Sequence, residues 1–227
     1  MTPALAIFVK TPGLSPVKTR LAASLGTQAA TRFHELAAAA TAAVGRHCQP
    51  ALTPYWALAE TDPAAAAAWP DFAPLGQGEG FLGARLDRVY GHLQARHGRV
   101  LLIGADTPQL TPALLRQALS ALDNPATPFV IGDASDGGFW LFGGRAPVDR
   151  SVWLHVRYSQ GDTASRLREA LSATGDCAPL PALSDVDRAT DLPLLLQALD
   201  TLAELLPARP RFEQHSPTGS PPACKSS

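Results

Sequence analysis

The segment Arg99–Leu110, RVLLIGADTPQL, narrows the folds open to this chain more than any other. Its first half carries apolar side chains at successive positions up to Ile103, so a strand here needs cover on both faces. Parallel sheets flanked by helices meet that demand. Gly104-Ala105 ends the strand, Asp106 stands directly beyond its carboxyl end, and Thr111-Pro112 opens a helix with an N-cap and a first-turn proline. In open α/β sheets ligands bind outside the carboxyl ends of the strands. A carboxylate at that place, with no Lys or Arg beside it in sequence, is positioned to hold a divalent cation. The plain alternative is a turn cap.

The rest of the chain repeats the strand–helix rhythm. Ala4 to Val9 reads as a first core strand, Lys10 to Pro16 as a loop broken by proline and glycine, and helical periodicity runs from Val17. Gly26 punctuates it before an alanine-rich packing helix from Ala29 to Val44. Leu52 to Leu58 is a second strand, Asp62-Pro63 starts a short helix that Trp69-Pro70 closes, and Phe72 to Leu75 is a third strand. A helix from Leu82 to Arg96 places Leu82, Leu86, Val89, Tyr90 and Leu93 on one face. After the Arg99–Ile103 strand and a Thr111–Leu122 helix, Phe129–Ile131 and Phe139–Phe142 flank a glycine-rich turn. A Pro/Gly-rich connection, a helix capped by Asp162 or Thr163 and ending near Ser172, and a short strand at Ala178–Leu180 follow. Ser184–Asp191 is a carboxylate-rich loop leading into a helix from Leu192 to Leu206, and residues 207–227 read as a disordered tail. This alternation predicts a single three-layer α/β domain over residues 1–206. Its sheet is mixed but mainly parallel, with the 129–142 region adding an antiparallel element.

Composition removes several function classes. The 227 residues are 46% hydrophobic and 17% charged, which suits one soluble globular domain. A formal net charge of −1 gives no basic field to recruit nucleic acid or anionic membrane. The cysteines, Cys48, Cys177 and Cys224, are odd in number and far apart, match no zinc spacing and suggest free thiols in a reducing cytosol. No signal peptide is evident and no window approaches the ~20 apolar residues of a membrane span. A cytoplasmic location is expected.

Four segments carry chemistry. KTPGLSPVKTRL, Lys10–Leu21, sets Lys18 and Arg20 at the start of a helix, where an anion is needed to offset cations against the macrodipole. It lacks the GxxxxGK[ST] and GxGxxG spacings. QGEGFLGAR, Gln77–Arg85, is a glycine loop that lets backbone approach a ligand, with Arg85 one turn into the helix. DASDGG, Asp133–Gly138, is a turn that leaves Asp133 and Asp136 near the sheet edge. In DVDRATD, Asp185–Asp191, Thr190 or Asp191 caps the last helix while Asp185 and Asp187 share one face if extended. A second carboxylate near Asp106 completes a Mg²⁺ or Mn²⁺ site, since such ions take one or two carboxylates plus substrate phosphates. Histidine zinc motifs and a GxSxG elbow are absent.

In order, VKTRL, QGxGxLGxRL, GADTPxL, DGGFWLFG and DVDxxxDL resemble a bacterial GT-A-like glycosyltransferase family over about residues 4–206. Its members are often encoded beside radical-SAM proteins. The resemblance extends to guanylyltransferases and sugar-nucleotide cytidylyltransferases, which share a nucleotide-diphospho-sugar transferase fold. It implies that Lys10, Lys18 and Arg20 lie along nucleotide phosphates and that Gln77, Gly80 and Arg85 line the base and ribose side. It further implies that Asp106 and Asp187 bind the metal, and that Asp136 stands near the acceptor as a base or orienting group. Phe81 replaces the family's usual Asp, and Trp153-Leu154-His155 replaces a Trp-Ser-Thr segment placed in an acceptor-side loop.

The reading that follows is a metal-dependent transferase moving a sugar from a nucleotide-activated donor to a small-molecule acceptor. The alternative is a nucleotidyltransferase joining an NTP to a phosphorylated small molecule. A non-catalytic nucleotide-binding protein is the third.

Overall fold

The computed structural model describes residues 1–184, 186–193 and 195–197. Strands β1 (Ala4–Val9), β2 (Thr53–Leu58), β3 (Ala73–Gly76) and β4 (Val100–Gly104) run parallel, with β1 between β2 and β4. β5 (Phe129–Ala134) and β6 (Phe139–Gly144) form an antiparallel pair, and β7 (Cys177–Leu183) joins β5 in parallel. Because β6 also pairs antiparallel with β4, the seven-stranded order is β3-β2-β1-β4-β6-β5-β7. Among the described strands β6 alone is reversed. The sheet is therefore mixed and mainly parallel, in a single α/β domain.

The helices, in chain order, are α1 (Thr19–Leu25), α2 (Thr27–His47), α3 (Pro63–Ala68), α4 (Leu82–His97), α5 (Pro112–Ala121), α6 (Arg150–His155) and α7 (Thr163–Leu171). Side chains alternate across a strand, so β1 sends Leu5, Ile7 and Val9 to one face and Ala4 and Ala6 to the other. The first face packs against α2, α3 and α5 through Ala38, Ala42, Ala65, Leu115 and Ala118. The second packs against α4, α6 and α7 through Leu86, Val89, Leu93, Trp153 and Leu167. β4 is buried on both faces, as its unbroken apolar run requires.

Local chemistry sets the helix starts. The Asp62 carboxylate accepts from Ala64 N at 2.8 Å ahead of Pro63, and the Thr111 hydroxyl accepts from Leu114 N at 3.3 Å ahead of Pro112. Three expectations need correction. Leu82 is not on the buried face of α4: it sits at the helix start, 42% exposed, and Gly83 takes the inward position. Asp162 precedes α7 without a side-chain cap bond, because its carboxylate pairs with Arg166. The connection between β6 and α7 contains a helix, α6, whose start is capped by Asp149 accepting from Ser151 N at 2.8 Å.

That helix changes the reading of Trp153-Leu154-His155. Trp153 is fully buried, with its ring 5.0 Å from Phe142 and 5.6 Å from Tyr90, so the segment anchors a core rather than forming a loop. Cys48 and Cys177 are free thiols. Among the described residues, no helix is long and apolar enough to cross a membrane. Asp185, Cys224, most of the helix expected from Leu192 to Leu206 and the tail expected at 207–227 lie outside the described residues.

Candidate functional site

The carboxyl ends of β1, β2, β3 and β4 open onto a cavity of about 740 Å³. Lys10, Lys18 and Arg20 line it from the β1–α1 side, and Gln77, Gly80 and Arg85 from the β3–α4 side. Asp106 and Asp187 complete it. Parallel topology gathers these residues, because each segment leaves its strand at the same edge of the sheet.

The loop after β1 is tied down before it reaches Lys18. Thr11 N donates to Glu60 Oε1 at 3.1 Å, Trp69 Nε1 donates to Thr11 Oγ1 at 3.0 Å, and Gly13 turns the chain at φ 87°. His34 Nε2 lies 2.9 Å from the carbonyl oxygen of Lys10. Lys18 precedes α1 in the left-handed region at φ 43°. Its side chain is 6% exposed and its ammonium lies 2.8 Å from Asp106 Oδ2 and 3.2 Å from Asp187 Oδ1. Arg20 Nη1 donates to Asp187 Oδ2 at 3.0 Å.

Backbone geometry aims both carboxylates. Gly104 leaves room for Asp106 to fold back, since a β-carbon there would lie 2.5 Å from its Oδ1. Ala105 N donates to Phe8 O at 3.0 Å and keeps this end of β4 stitched to β1. Asp187 is held by Asp191, whose Oδ2 accepts from Asp187 N at 3.0 Å and Arg188 N at 2.7 Å. Asp191 therefore fixes a short 3₁₀ turn at Ala189–Asp191.

The charges hold one another in place. Burial disfavours the Lys18 ammonium, but Asp106 and Asp187 outweigh it and lift the group above the ordinary lysine value. Desolvation pushes the Asp106 carboxyl up, and Lys18 overrides it, holding the carboxyl below the usual carboxylate range. The cations expected to stand free for an anion are thus engaged with carboxylates, and Asp106 has a lysine partner supplied from far away in sequence.

Gln77 and Arg85 act as a pair. The buried Gln77 donates through Nε2 to Ala57 O at 2.8 Å and accepts from Arg85 Nη1 at 3.3 Å. Arg85 Nε donates to Gly80 O at 2.9 Å, with Gly80 at φ 100°. Both polar ends of Gln77 are committed, so it positions the guanidinium.

Asp136 stands apart. It lines a neighbouring cavity of about 230 Å³, which shares Phe8, Leu82 and Gly104 with the first. Its Oδ1 accepts from Gly138 N at 2.9 Å within the β5–β6 turn. Asp133 does not join it, being paired with Arg168 at 2.6 Å. The sequence reading passed over His34, which lines the larger cavity from α2. Its signal is a polar residue in the buried stripe Ala30, His34, Ala37, Ala38 and Thr41.

The donor set fits a hard divalent ion. Among the described residues no third His, Cys, Asp or Glu joins Asp106 and Asp187 in a metal-sized cluster. Two carboxylates already converge on one cation, the Lys18 ammonium, and a Mg²⁺ or Mn²⁺ ion in its place would take its other ligands from water and phosphate oxygens.

A family model described as "Uncharacterized protein conserved in bacteria (DUF2064)" matches residues 26–160. The chain belongs to this family. No curated protein matches it at a significant level. Among solved structures, a putative nucleotide-diphospho-sugar transferase from Desulfovibrio desulfuricans G20 superposes with a TM-score of 0.74 at 23% identity, covering 90% of this chain and 97% of that one. Rv0371c from Mycobacterium tuberculosis H37Rv follows at 0.55 and 20% identity over 86% and 98%, and has also been solved as a manganese complex. A 4-diphosphocytidyl-2C-methyl-D-erythritol synthase from Anaerococcus prevotii DSM 20548 gives 0.56 at 10% identity over 88% and 96%. This DUF2064 member has the nucleotide-diphospho-sugar transferase fold.

Proposed function

We propose that this protein is a metal-dependent transferase that moves a sugar from a nucleotide-activated donor to an acceptor. One observation carries the reading. At the carboxyl edge of this fold, two carboxylates close on a single cation in a cavity also bordered by Lys10, Arg20 and Arg85. That the neighbour Rv0371c has been solved as a manganese complex supports the use of a divalent ion, Mg²⁺ or Mn²⁺.

The residues divide the work. Asp106 and Asp187 would hold the ion, which when bound neutralises charge on the leaving diphosphate. Lys18, released from the carboxylates, and Arg20 stabilise the same phosphates as charge develops on them. Arg85, aimed by Gln77 and Gly80, borders the nucleoside side, while Lys10 lies along the phosphates. From the adjoining cavity, Asp136 accepts the proton of the attacking hydroxyl. The acceptor oxygen bonds to the sugar carbon, and the bond from that carbon to the diphosphate oxygen breaks. The nucleoside diphosphate leaves with the electron pair.

The fold neighbour that is a diphosphocytidyl synthase favours a second reading, nucleotidyl transfer with release of pyrophosphate. Thermal-shift measurements with UDP-, GDP-, CDP- and ADP-sugars and the NTPs, with and without Mn²⁺, test the site on the wild type and Asp106→Ala. A metal-dependent shift by one nucleotide class, lost in Asp106→Ala, is expected. No shift with any nucleotide at millimolar concentration refutes the site. Released nucleoside diphosphate marks glycosyl transfer, and released pyrophosphate marks the alternative.

A further inference from the structure

The two adjoining cavities differ in charge. The larger is bordered by Lys10, Lys18, Arg20, His34 and Arg85. The smaller, about 230 Å³, is lined by no lysine, arginine or histidine. Its apolar lining residues include Phe8, Leu82, Leu86, Leu102, Phe139 and Tyr158.

Most of its polar atoms are already committed. The Tyr158 hydroxyl donates to Trp153 O at 3.1 Å, and Trp140 Nε1 donates to Pro181 O at 3.0 Å. Thr163 Oγ1 lies 2.9 Å from both Arg157 O and Gln160 O. Among the side-chain polar atoms of the described lining residues, Asp136 Oδ2 and the Ser159 hydroxyl remain for a ligand. The carboxylate is also held in place. Gly137, at φ 85°, packs so closely on Gly161 that a β-carbon would lie 2.1 Å from its carbonyl oxygen, and Ala164 N donates to Gly137 O at 3.0 Å.

We infer that this cavity receives the acceptor, and that the acceptor is an unphosphorylated hydroxyl compound with an aromatic or alkyl portion. The inference rests on the transferase reading and names its acceptor class. A phosphate group needs a guanidinium, an ammonium or a cradle of free N–H donors. Here it would meet apolar walls and a carboxylate, which repels it. A neutral hydroxyl instead donates to Asp136, while the ring or chain attached to it fills the apolar part. At 230 Å³ the space is below the ~300 Å³ lower range of small-molecule pockets, so it takes a small compound or one end of a longer one. The proton of the acceptor hydroxyl passes to Asp136 as the new carbon–oxygen bond forms and the nucleoside diphosphate departs. This selects glycosyl transfer over coupling of an NTP to a phosphorylated partner.

The test uses ligand-observed NMR on the full chain with 4-nitrophenyl β-D-glucoside and 4-nitrophenyl phosphate, which share a ring and differ in charge. The wild type is expected to bind the neutral glucoside at least tenfold more tightly. Ser159→Arg places a cation at the rim without touching the nucleotide cavity, because Ser159 is exposed and lines only the smaller one. It is expected to shrink that preference at least tenfold, chiefly by tightening the phosphate. Equal or tighter phosphate binding by the wild type overturns the inference, as does an unchanged preference in Ser159→Arg. Nucleotide-induced thermal shifts on the same samples report the donor site separately. A normal nucleotide shift beside failed discrimination sinks the acceptor class alone, whereas no nucleotide shift sinks the transferase reading and the acceptor role with it.

Discussion

Lys18→Met asks whether the ammonium holds the place of a metal ion. Methionine keeps a similar stem and meets the same left-handed backbone at φ 43°, so backbone strain cancels in the comparison. The Lys18 side chain is 6% exposed, whereas Asp106 and Asp187 are 41% and 40% exposed. The cluster therefore lies between exposed ion pairs, worth up to about 1 kcal/mol, and buried ones, whose breakage costs about 3–5 kcal/mol. A loss of about 2 kcal/mol follows from that intermediate burial. For a chain of this length, at about 2–4 °C per kcal/mol, the melting temperature falls by about 4–8 °C. The variant then presents two carboxylates with Arg20 still paired to Asp187 and no ammonium between them, so Mn²⁺ alone binds there. At about one hundred times its Kd a ligand adds ~2.7 kcal/mol, enough to restore the loss. Thermal denaturation of wild type and variant, with and without Mn²⁺ and without nucleotide, reads all of this. Mn²⁺ is expected to raise the variant by several degrees and the wild type by less than about one. Equal stabilisation of both proteins, or a variant that melts like the wild type, refutes the reasoning.

Two further pairs of substitutions test the scaffold around the site. Gly137→Ala drives a β-carbon into Gly161 at a positive φ and should cost about 3 kcal/mol in urea denaturation, whereas Gly161→Ala, whose β-carbon approaches only Asp136 O at 3.9 Å, should cost under about 1 kcal/mol. Trp153→Ala should cost about 3–5 kcal/mol and His155→Thr no more than about 0.5 kcal/mol; the reverse order would make this segment the loop that the sequence suggested.

The central strands could be read to within a residue or two because β1 and β4 are continuous apolar runs, and the capped helix starts at Asp62 and Thr111 followed from residue type alone. α6 escaped notice because six residues are too few to show periodicity, and its Asp149 cap sits in a proline- and glycine-bearing stretch. Topology explains why eight of the nine singled-out residues border one cavity, since it sends the ends of β1, β3 and β4 to one edge. What the sequence could not show is how their charges pair. Lys18 and Asp187 meet across 169 positions, and nothing local to either reveals that contact. Asp136 fell into the adjoining cavity for a related reason: its place depends on the packing of Gly137 against Gly161 on the approach to α7.

The reversal of β6 has consequences for how such a protein can change over generations. Because β6 runs against β4, the hairpin joining it to β5 arrives at the rim already formed by the parallel strands. The larger cavity is built chiefly from the ends of β1, β3 and β4, while the smaller one shares β1, β4 and the start of α4 with it and adds that hairpin and the approach to α7. Residues of the hairpin and the α7 approach can be exchanged without disturbing the Lys18–Asp106–Asp187 cluster. On the proposed reading, a lineage can thus trade one acceptor for another while inheriting its donor chemistry intact.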